Sequence, residues 1–303
     1  MEKVIIIGAG PAGISAALYA VRGNLDPLVI NNGIGALEKA EKIENYYGLE
    51  HPLSGQELYD TGIAQAKALG VRILDAQVLG VGGFDTFVVK TTEGEFETQS
   101  LILATGSKRA APKIPGVKEF EGKGVSYCAI CDAFFYRGKD VAVLGNGDFA
   151  MHEAKELSNT ASTVTIYTNG EEPEFTPEEN ISVNTMKIQS VEGDDLVSGI
   201  RLVPDVQAQK MSAEQQANDF CPAEGVFIAM GTAGSTEIAR QMGAELTEKG
   251  NIKVNENMET TIPGLYAAGD CTGGLLQVAK AVYEGAKAGL SAVQYVRTRA
   301  RDK

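Results

Sequence analysis

Val4-Ile5-Ile6-Ile7-Gly8-Ala9-Gly10-Pro11-Ala12-Gly13 is the stretch that decides the fold. Four apolar residues in a row predict a strand buried on both faces of a parallel sheet. The glycines follow at once, and Ile14 to Val21 predicts a helix packed through small residues. Gly8 permits a tight turn, Gly10 lets backbone approach a pyrophosphate, and Gly13 lets helix and strand pack closely. The amides that open the helix then meet phosphate with favourable dipole polarity. Asp26-Pro27 breaks the chain before a second strand, Leu28-Val29-Ile30, which completes a βαβ unit suited to a dinucleotide. The acidic residue often found at the end of that strand is missing. Asn31 and Asn32 stand there instead, and asparagine can still hydrogen-bond a ribose.

The pattern recurs half a chain later. Asp140-Val141-Ala142-Val143-Leu144 runs into Gly145-Asn146-Gly147, a helical stretch to about Leu157, and a strand at Thr163 to Tyr167. Gly264 to Gly269-Asp270 predicts a buried strand ending in a turn, and Leu276 to about Arg297 a long helix. The fold class is therefore α/β, with two Rossmann-like, three-layer domains and the second inserted into the first. The expected boundaries give residues 1–113 and 246–303 to a discontinuous cofactor domain, and 114–245 to the insertion.

Composition narrows the function. A net charge of −13 over 303 residues disfavours a general role on nucleic acid or an anionic membrane. The chain opens Met1-Glu2-Lys3 before a short strand and carries no apolar run long enough to span a bilayer, which predicts a cytoplasmic protein. Four cysteines do not make a disulfide framework at this length. Two of them form Cys128-Ala129-Ile130-Cys131-Asp132, a spacing that brings two sulfurs within disulfide reach at the start of a helix. Half of a zinc site is the competing reading. It finds no second Cys-x-x-Cys and only two histidines, so no metal is expected. Cys221 and Cys271 read as small apolar side chains, and neither His51 nor His152 offers a catalytic role.

The ordered set Gly8–Gly13, Glu44-Asn45-Tyr46-Tyr47-Gly48, Ala104-Thr105-Gly106-Ser107, Cys128–Asp132, Ala267–Asp270 and Gln277-Val278-Ala279 resembles the low-molecular-weight thioredoxin reductase family over essentially the whole chain. The resemblance implies FAD as cofactor. Gly8, Gly10, Pro11, Ala12 and Gly13 would hold the pyrophosphate, with Asn31 and Leu37 also against the cofactor. Asn45 would lie on the flavin side, backbone at Val78 would face adenine, and Thr105 and Gly106 would pack nearby. Gly269 and Asp270 would meet the ribityl–phosphate portion, with Gln277 and Val278 beneath the isoalloxazine. By the same carry-over, Cys131 exchanges electrons with flavin, Cys128 attacks the disulfide of thioredoxin, and Asp132 is the acid. A homodimer is implied as well.

The match departs from the family at the second glycine turn. NADPH-using members carry basic residues after the following strand, whereas this chain reads Tyr167-Thr168-Asn169-Gly170-Glu171-Glu172-Pro173-Glu174. Carboxylates there repel a 2′-phosphate. Phe149 replaces a small hydroxyl residue and is expected to obstruct a nucleotide. Met230–Gly234 lacks the family's histidine and asparagine, Leu276 stands where arginine is common, and Ala36 replaces a glutamine. The chain is accordingly similar to the ferredoxin-dependent flavin thioredoxin reductases, with reduced ferredoxin as donor. Lys108, Arg109, Lys113, Lys118, Lys123, Arg137 and Lys139 form either a local docking surface for that acidic partner or a scatter of solvated cations. An NADPH-dependent reductase and a flavin-bound sensor without turnover are the alternatives.

Overall fold

The computed structural model describes residues 1–83, 85–106, 112–127, 129–204, 219–230 and 234–301, with the side chains of Ile130 and Cys131 excepted. Cys128, Ser107, Lys108, Arg109 and Gly231–Ala233 lie outside the described residues. The chain forms two compact units, Met1–Arg109 with Gly234–Lys303, and Ala110–Ala233.

Elements are numbered along the chain. The first segment holds β1 (Glu2–Ile7), α1 (Pro11–Arg22), β2 (Leu28–Asn31), α2 (Gly55–Ala68), β3 (Arg72–Asp75), β4 (Val78–Gly82), β5 (Phe87–Thr91) and β6 (Gly94–Leu103). The insertion holds β7 (Val125–Ser126), α3 (Ala129–Asp132), β8 (Asp140–Leu144), α4 (Asp148–Ser158), β9 (Thr163–Tyr167) and β10 (Ser182–Asn184). It continues with β11 (Ile188–Gly193), β12 (Val197–Leu202), β13 (Phe220–Pro222) and β14 (Gly225–Ile228). The returning segment adds α5 (Ser235–Gln241), β15 (Leu265–Ala267) and α6 (Val278–Arg301).

In the first unit, β3-β2-β1-β6-β15 is a parallel sheet, and the start of β6 continues antiparallel through β5 to β4. Val4, Ile5 and Ile6 of β1 are 0% exposed, as a strand covered on both faces requires. The covering layer on one face is α1 with α6. A Cβ on Gly285 would stand 2.0 Å from the Ala12 carbonyl oxygen, and one on Gly289 2.4 Å from that of Ala16. Only glycine allows these two backbones to approach so closely. The successive contacts run in the same direction along both helices, so their first turns arrive at one end of the sheet.

The second unit repeats the plan. β10-β9-β8-β14-β7 is parallel throughout, and β11-β12-β13 form a separate antiparallel sheet. The edge strand β7 beside β14 holds the place that β15 holds beside β6.

One boundary differs from the expected 245/246. Residues 234–245 belong to the first unit because Ser235 is clasped by Thr105. The Thr105 amide donates to Ser235 Oγ at 3.0 Å, the Ser235 amide to Thr105 Oγ1 at 2.8 Å, and the two hydroxyls meet at 2.8 Å. At the other crossing, residues 112 and 113 fall in the insertion rather than the first unit.

Candidate active site

In the first unit the glycine turn has the geometry its sequence predicts. Gly8 has φ +109°, and a Cβ there would lie 2.4 Å from the Ala104 carbonyl oxygen. A Cβ on Gly13 would fall 1.8 Å from the Gly8 oxygen. At Gly10, by contrast, nothing lies within 4 Å of the missing side chain, and α1 opens with no side-chain cap and with Pro11 in its first turn. The turn is closed where it meets protein and open where a pyrophosphate approaches.

Distant segments converge beside it. A Cβ on Gly269 would stand 3.0 Å from the Ala12 methyl and 3.9 Å from that of Ala281, so the Gly269-Asp270 turn meets the first turns of both α1 and α6. The Gly269 amide and the Thr272 hydroxyl donate to Glu284 Oε2 at 2.8 and 2.9 Å. Lys280 Nζ donates to the carbonyls of Gly269 and Gly273 at 2.8 and 2.6 Å, and lies 3.1 Å from Glu284. This clamp fixes Asp270, whose carboxyl is raised chiefly by burial, with Lys280 opposing the shift. Asn45 Nδ2 donates to Gln277 Oε1 at 2.9 Å, joining the residues that the resemblance places on either side of the flavin.

Asn31 ends β2 and is engaged on both sides. Its Nδ2 donates to Asp75 Oδ1 at 2.6 Å, and its Oδ1 accepts from the Tyr59 hydroxyl at 2.9 Å. The carboxylate missing after β2 thus stands one strand away, at the end of β3. Leu37 lies in the short 3-10 helix Gly35–Lys39 and Val78 opens β4, both buried. Gly106, at φ +85°, follows the clasped Thr105. Cys271 is buried with its thiol pushed up to about 12 by burial, and Cys221 is half-buried and bonded to Tyr167; both are free cysteines.

In the second unit, Cys131 stands in α3 and Cys128 immediately precedes that helix. Asp132 Oδ2 accepts from Ser126 Oγ at 2.6 Å, which orients the carboxyl from the edge strand β7. Just beyond α3, Phe134 and Phe135 are 72% and 67% exposed, with Arg137 over the Phe134 ring at 5.7 Å. Glu153 of α4, 2% exposed, accepts from the Ala129 amide through Oε2 at 2.7 Å. Burial pushes its carboxyl up to about 7.

The second glycine turn keeps its shape but changes its charge. A Cβ placed on Gly147 would meet nothing within 4 Å, and α4 begins without a side-chain cap. Phe149 does not stand in that space: it is 2% exposed and packs into the interior, contrary to the expected obstruction. The Glu174 amide donates to the Asn146 carbonyl at 2.7 Å, fastening the acidic loop to the turn. Glu171, Glu172 and Glu174 are exposed on that loop, and Asp148 occupies the first turn of α4.

An open pyrophosphate turn, a clamped aspartate beside two helix N-termini and a Cys-x-x-Cys helix on a second Rossmann unit define a flavin disulfide oxidoreductase. The chain belongs to the pyridine nucleotide-disulphide oxidoreductase family, whose sequence pattern matches residues 2–285, and is of the thioredoxin reductase type within it. These are FAD flavoproteins, and the open turn at Gly10 fits that cofactor. It is similar to the thioredoxin reductase of Aquifex aeolicus (strain VF5), 36% identical over 282 residues, covering 88% of this chain and 84% of that protein. Among solved structures, the atypical thioredoxin reductase TRi from Desulfovibrio vulgaris Hildenborough is 39% identical, covering 98% of this chain and 99% of that one, with a TM-score of 0.88. A ferredoxin-flavin thioredoxin reductase from Clostridium acetobutylicum is 30% identical, covering 98% of each chain, with a TM-score of 0.69.

Proposed function

We propose that this chain reduces the disulfide of thioredoxin through Cys128 and Cys131, drawing electrons from reduced ferredoxin rather than NADPH. The observation that carries the donor reading is the 2.7 Å hydrogen bond from the Glu174 amide to the Asn146 carbonyl, which holds an acidic loop against the second glycine turn. A dinucleotide 2′-phosphate brought there meets carboxylates instead of cations. The likeness to a ferredoxin-flavin thioredoxin reductase supports the same reading.

FAD, when bound, supplies a two-electron store that one-electron donors can fill. Gly8, Gly10, Ala12 and Gly13 hold its pyrophosphate, Asp270 its ribityl–phosphate portion, and Asn45, Gln277 and Val278 its ring. The Cys128 thiolate attacks one sulfur of the thioredoxin disulfide, breaking that bond and forming a mixed disulfide. Cys131 then attacks the Cys128 sulfur and releases thioredoxin as a dithiol, leaving a Cys128–Cys131 disulfide. Asp132, oriented by Ser126, supplies the proton to the departing sulfur. Lys113, Lys118, Lys123 and Arg137, all exposed, offer a basic surface to an acidic ferredoxin despite the net charge of −13. The chain acts as a homodimer in the cytoplasm on this reading.

Anaerobic mixing of oxidised holoenzyme with reduced ferredoxin, NADPH or NADH tests the donor. Loss of flavin absorbance is expected with ferredoxin alone; prompt bleaching by micromolar NADPH overturns the assignment. An NADPH-dependent reductase is the second reading, favoured by the open space at Gly147.

A further inference from the structure

A buried carboxylate is hydrogen-bonded to the opening amide of α3, the helix that carries Cys131 and follows Cys128, and the thiol chemistry above does not use it. Glu153 reaches from α4 to the peptide N–H that joins Cys128 to Ala129, at 2.7 Å. That amide is the first of the four-residue α3, one peptide bond from Cys128 in sequence. Glu153 Oε1 has no partner among the described residues, and the residue is 2% exposed. Its position is not an accident of a polar surface. Phe149, Ala150, Ala154 and Leu157 make the buried face of α4, and Glu153 stands among them.

We propose that Glu153 is a positioning residue for the Cys128–Cys131 pair: its carboxylate fixes the opening amide of α3 and, when ionised, holds down the acidity of the adjacent thiols. The inference rests on the reading of Cys128 and Cys131 as the redox pair. A buried carboxylate held on the amide next to Cys128 disfavours a second negative charge on the neighbouring thiols. Protonating that carboxyl removes this repulsion. Burial pushes the carboxyl up to about 7, so the change falls near neutral pH.

The surrounding charges leave this control with Glu153. On α4 itself, Glu156 pushes the carboxyl further up, while Lys155 is drawn away to Glu178 at 2.7 Å and His152 is half-buried. Of the elements packed against α4, α3 presents Asp132, engaged by Ser126, β8 presents Asp140, engaged by the Thr163 hydroxyl at 2.7 Å, and β9 presents Tyr167, bonded to Cys221. No lysine or arginine on these elements pairs with Glu153 among the described residues.

Glu153→Gln separates charge from shape, because the amide oxygen can still accept from Ala129. The test is the pH profile of iodoacetamide alkylation at the Cys128–Cys131 peptide of the dithiol-reduced holoenzyme, read by mass spectrometry from pH 5.5 to 9. In E153Q the curve moves to lower pH, with the thiolate population at pH 7 up by roughly threefold to tenfold. A curve that coincides with wild type overturns the proposal, since a purely structural cap leaves acidity unchanged. Should E153Q not fold, Glu153→Asp, which draws the charge back by one methylene, decides instead: a curve displaced to lower pH supports the proposal, and one that coincides with wild type overturns it. Peptide mapping of the oxidised wild-type protein keeps the two readings apart. If no Cys128–Cys131 bridge forms, the functional reading fails; if the bridge forms and the E153Q profile is unmoved, only the role of Glu153 fails.

Discussion

Glu284 in the first unit and Glu153 in the second are the same device in two settings. Each is a buried glutamate on a helix, and each accepts the amide that follows an edge strand, Gly269 after β15 and Ala129 after β7. Around Glu284 the structure adds the Thr272 hydroxyl and the Lys280 ammonium. Around Glu153 it adds no lysine or arginine among the described residues, and burial, with the neighbouring Glu156 adding to it, pushes the carboxyl up. The unit to which the proposal assigns the cofactor locks its turn with a counter-charge. The unit that carries the sulfurs leaves the corresponding carboxyl free to gain or lose a proton.

That division is broken most completely if the sulfur chemistry does not reside in the second unit. Cys128→Ser should lower thioredoxin reduction at least about 1,000-fold while the FAD-to-protein absorbance ratio stays at the wild-type value. Retained turnover would remove the reason for treating the two units as different. Next in size is the counter-charge itself. Lys280→Met leaves the buried Glu284 without its cation and strips hydrogen bonds from the Gly269–Gly273 turn. A loss of about 3–5 kcal/mol in denaturant unfolding is expected, with release of FAD at lower denaturant than the wild-type protein requires.

The protonation contrast can be read from stability as well. Glu153 has a folded pKa of about 7 against an ordinary value of 4.5, so the folded state binds its proton more tightly than the unfolded state. Its contribution is therefore fully favourable below about pH 4.5 and is lost as pH rises through about 7, amounting to roughly 3 kcal/mol. Thermal unfolding of wild type and E153Q between pH 4.5 and 7.5 should diverge by that dependence, with the steeper decline in wild type. The smallest expected effect is at the acidic loop. Glu174→Lys keeps the amide that holds Asn146 while reversing one exposed charge. NADPH binding, followed by fluorescence quenching, should tighten by about threefold to tenfold at low salt and lose that gain at high salt.

Local pattern carries much of this architecture. The apolar run before Gly8 and the glycines after it specify strand, turn and helix within a dozen residues, and β9 falls at Thr163–Tyr167 as its sequence predicts. What local pattern does not carry are features made by long-range meetings. The Thr105–Ser235 clasp spans 130 residues, so no local signal shows that α5 belongs with the first unit. Phe149 reads as an obstruction from its position in a motif, although its apolar ring is better explained by the buried face of α4. Glu153 does leave a trace, since an acidic residue on that apolar face marks a buried partner. Asp75 leaves none, because its role depends on β3 lying beside β2 in register with Asn31.

The clasp at Thr105 and Ser235 has a consequence for how such a molecule could arise. The polypeptide departs from its host and comes back through one small doorway, closed by hydrogen bonds between two side chains and from each residue's amide to the other's hydroxyl. A graft admitted there interrupts no strand of the host sheet and asks for no rearrangement behind it. Two units of like architecture joined in this way are at liberty to drift apart in what their equivalent turns carry.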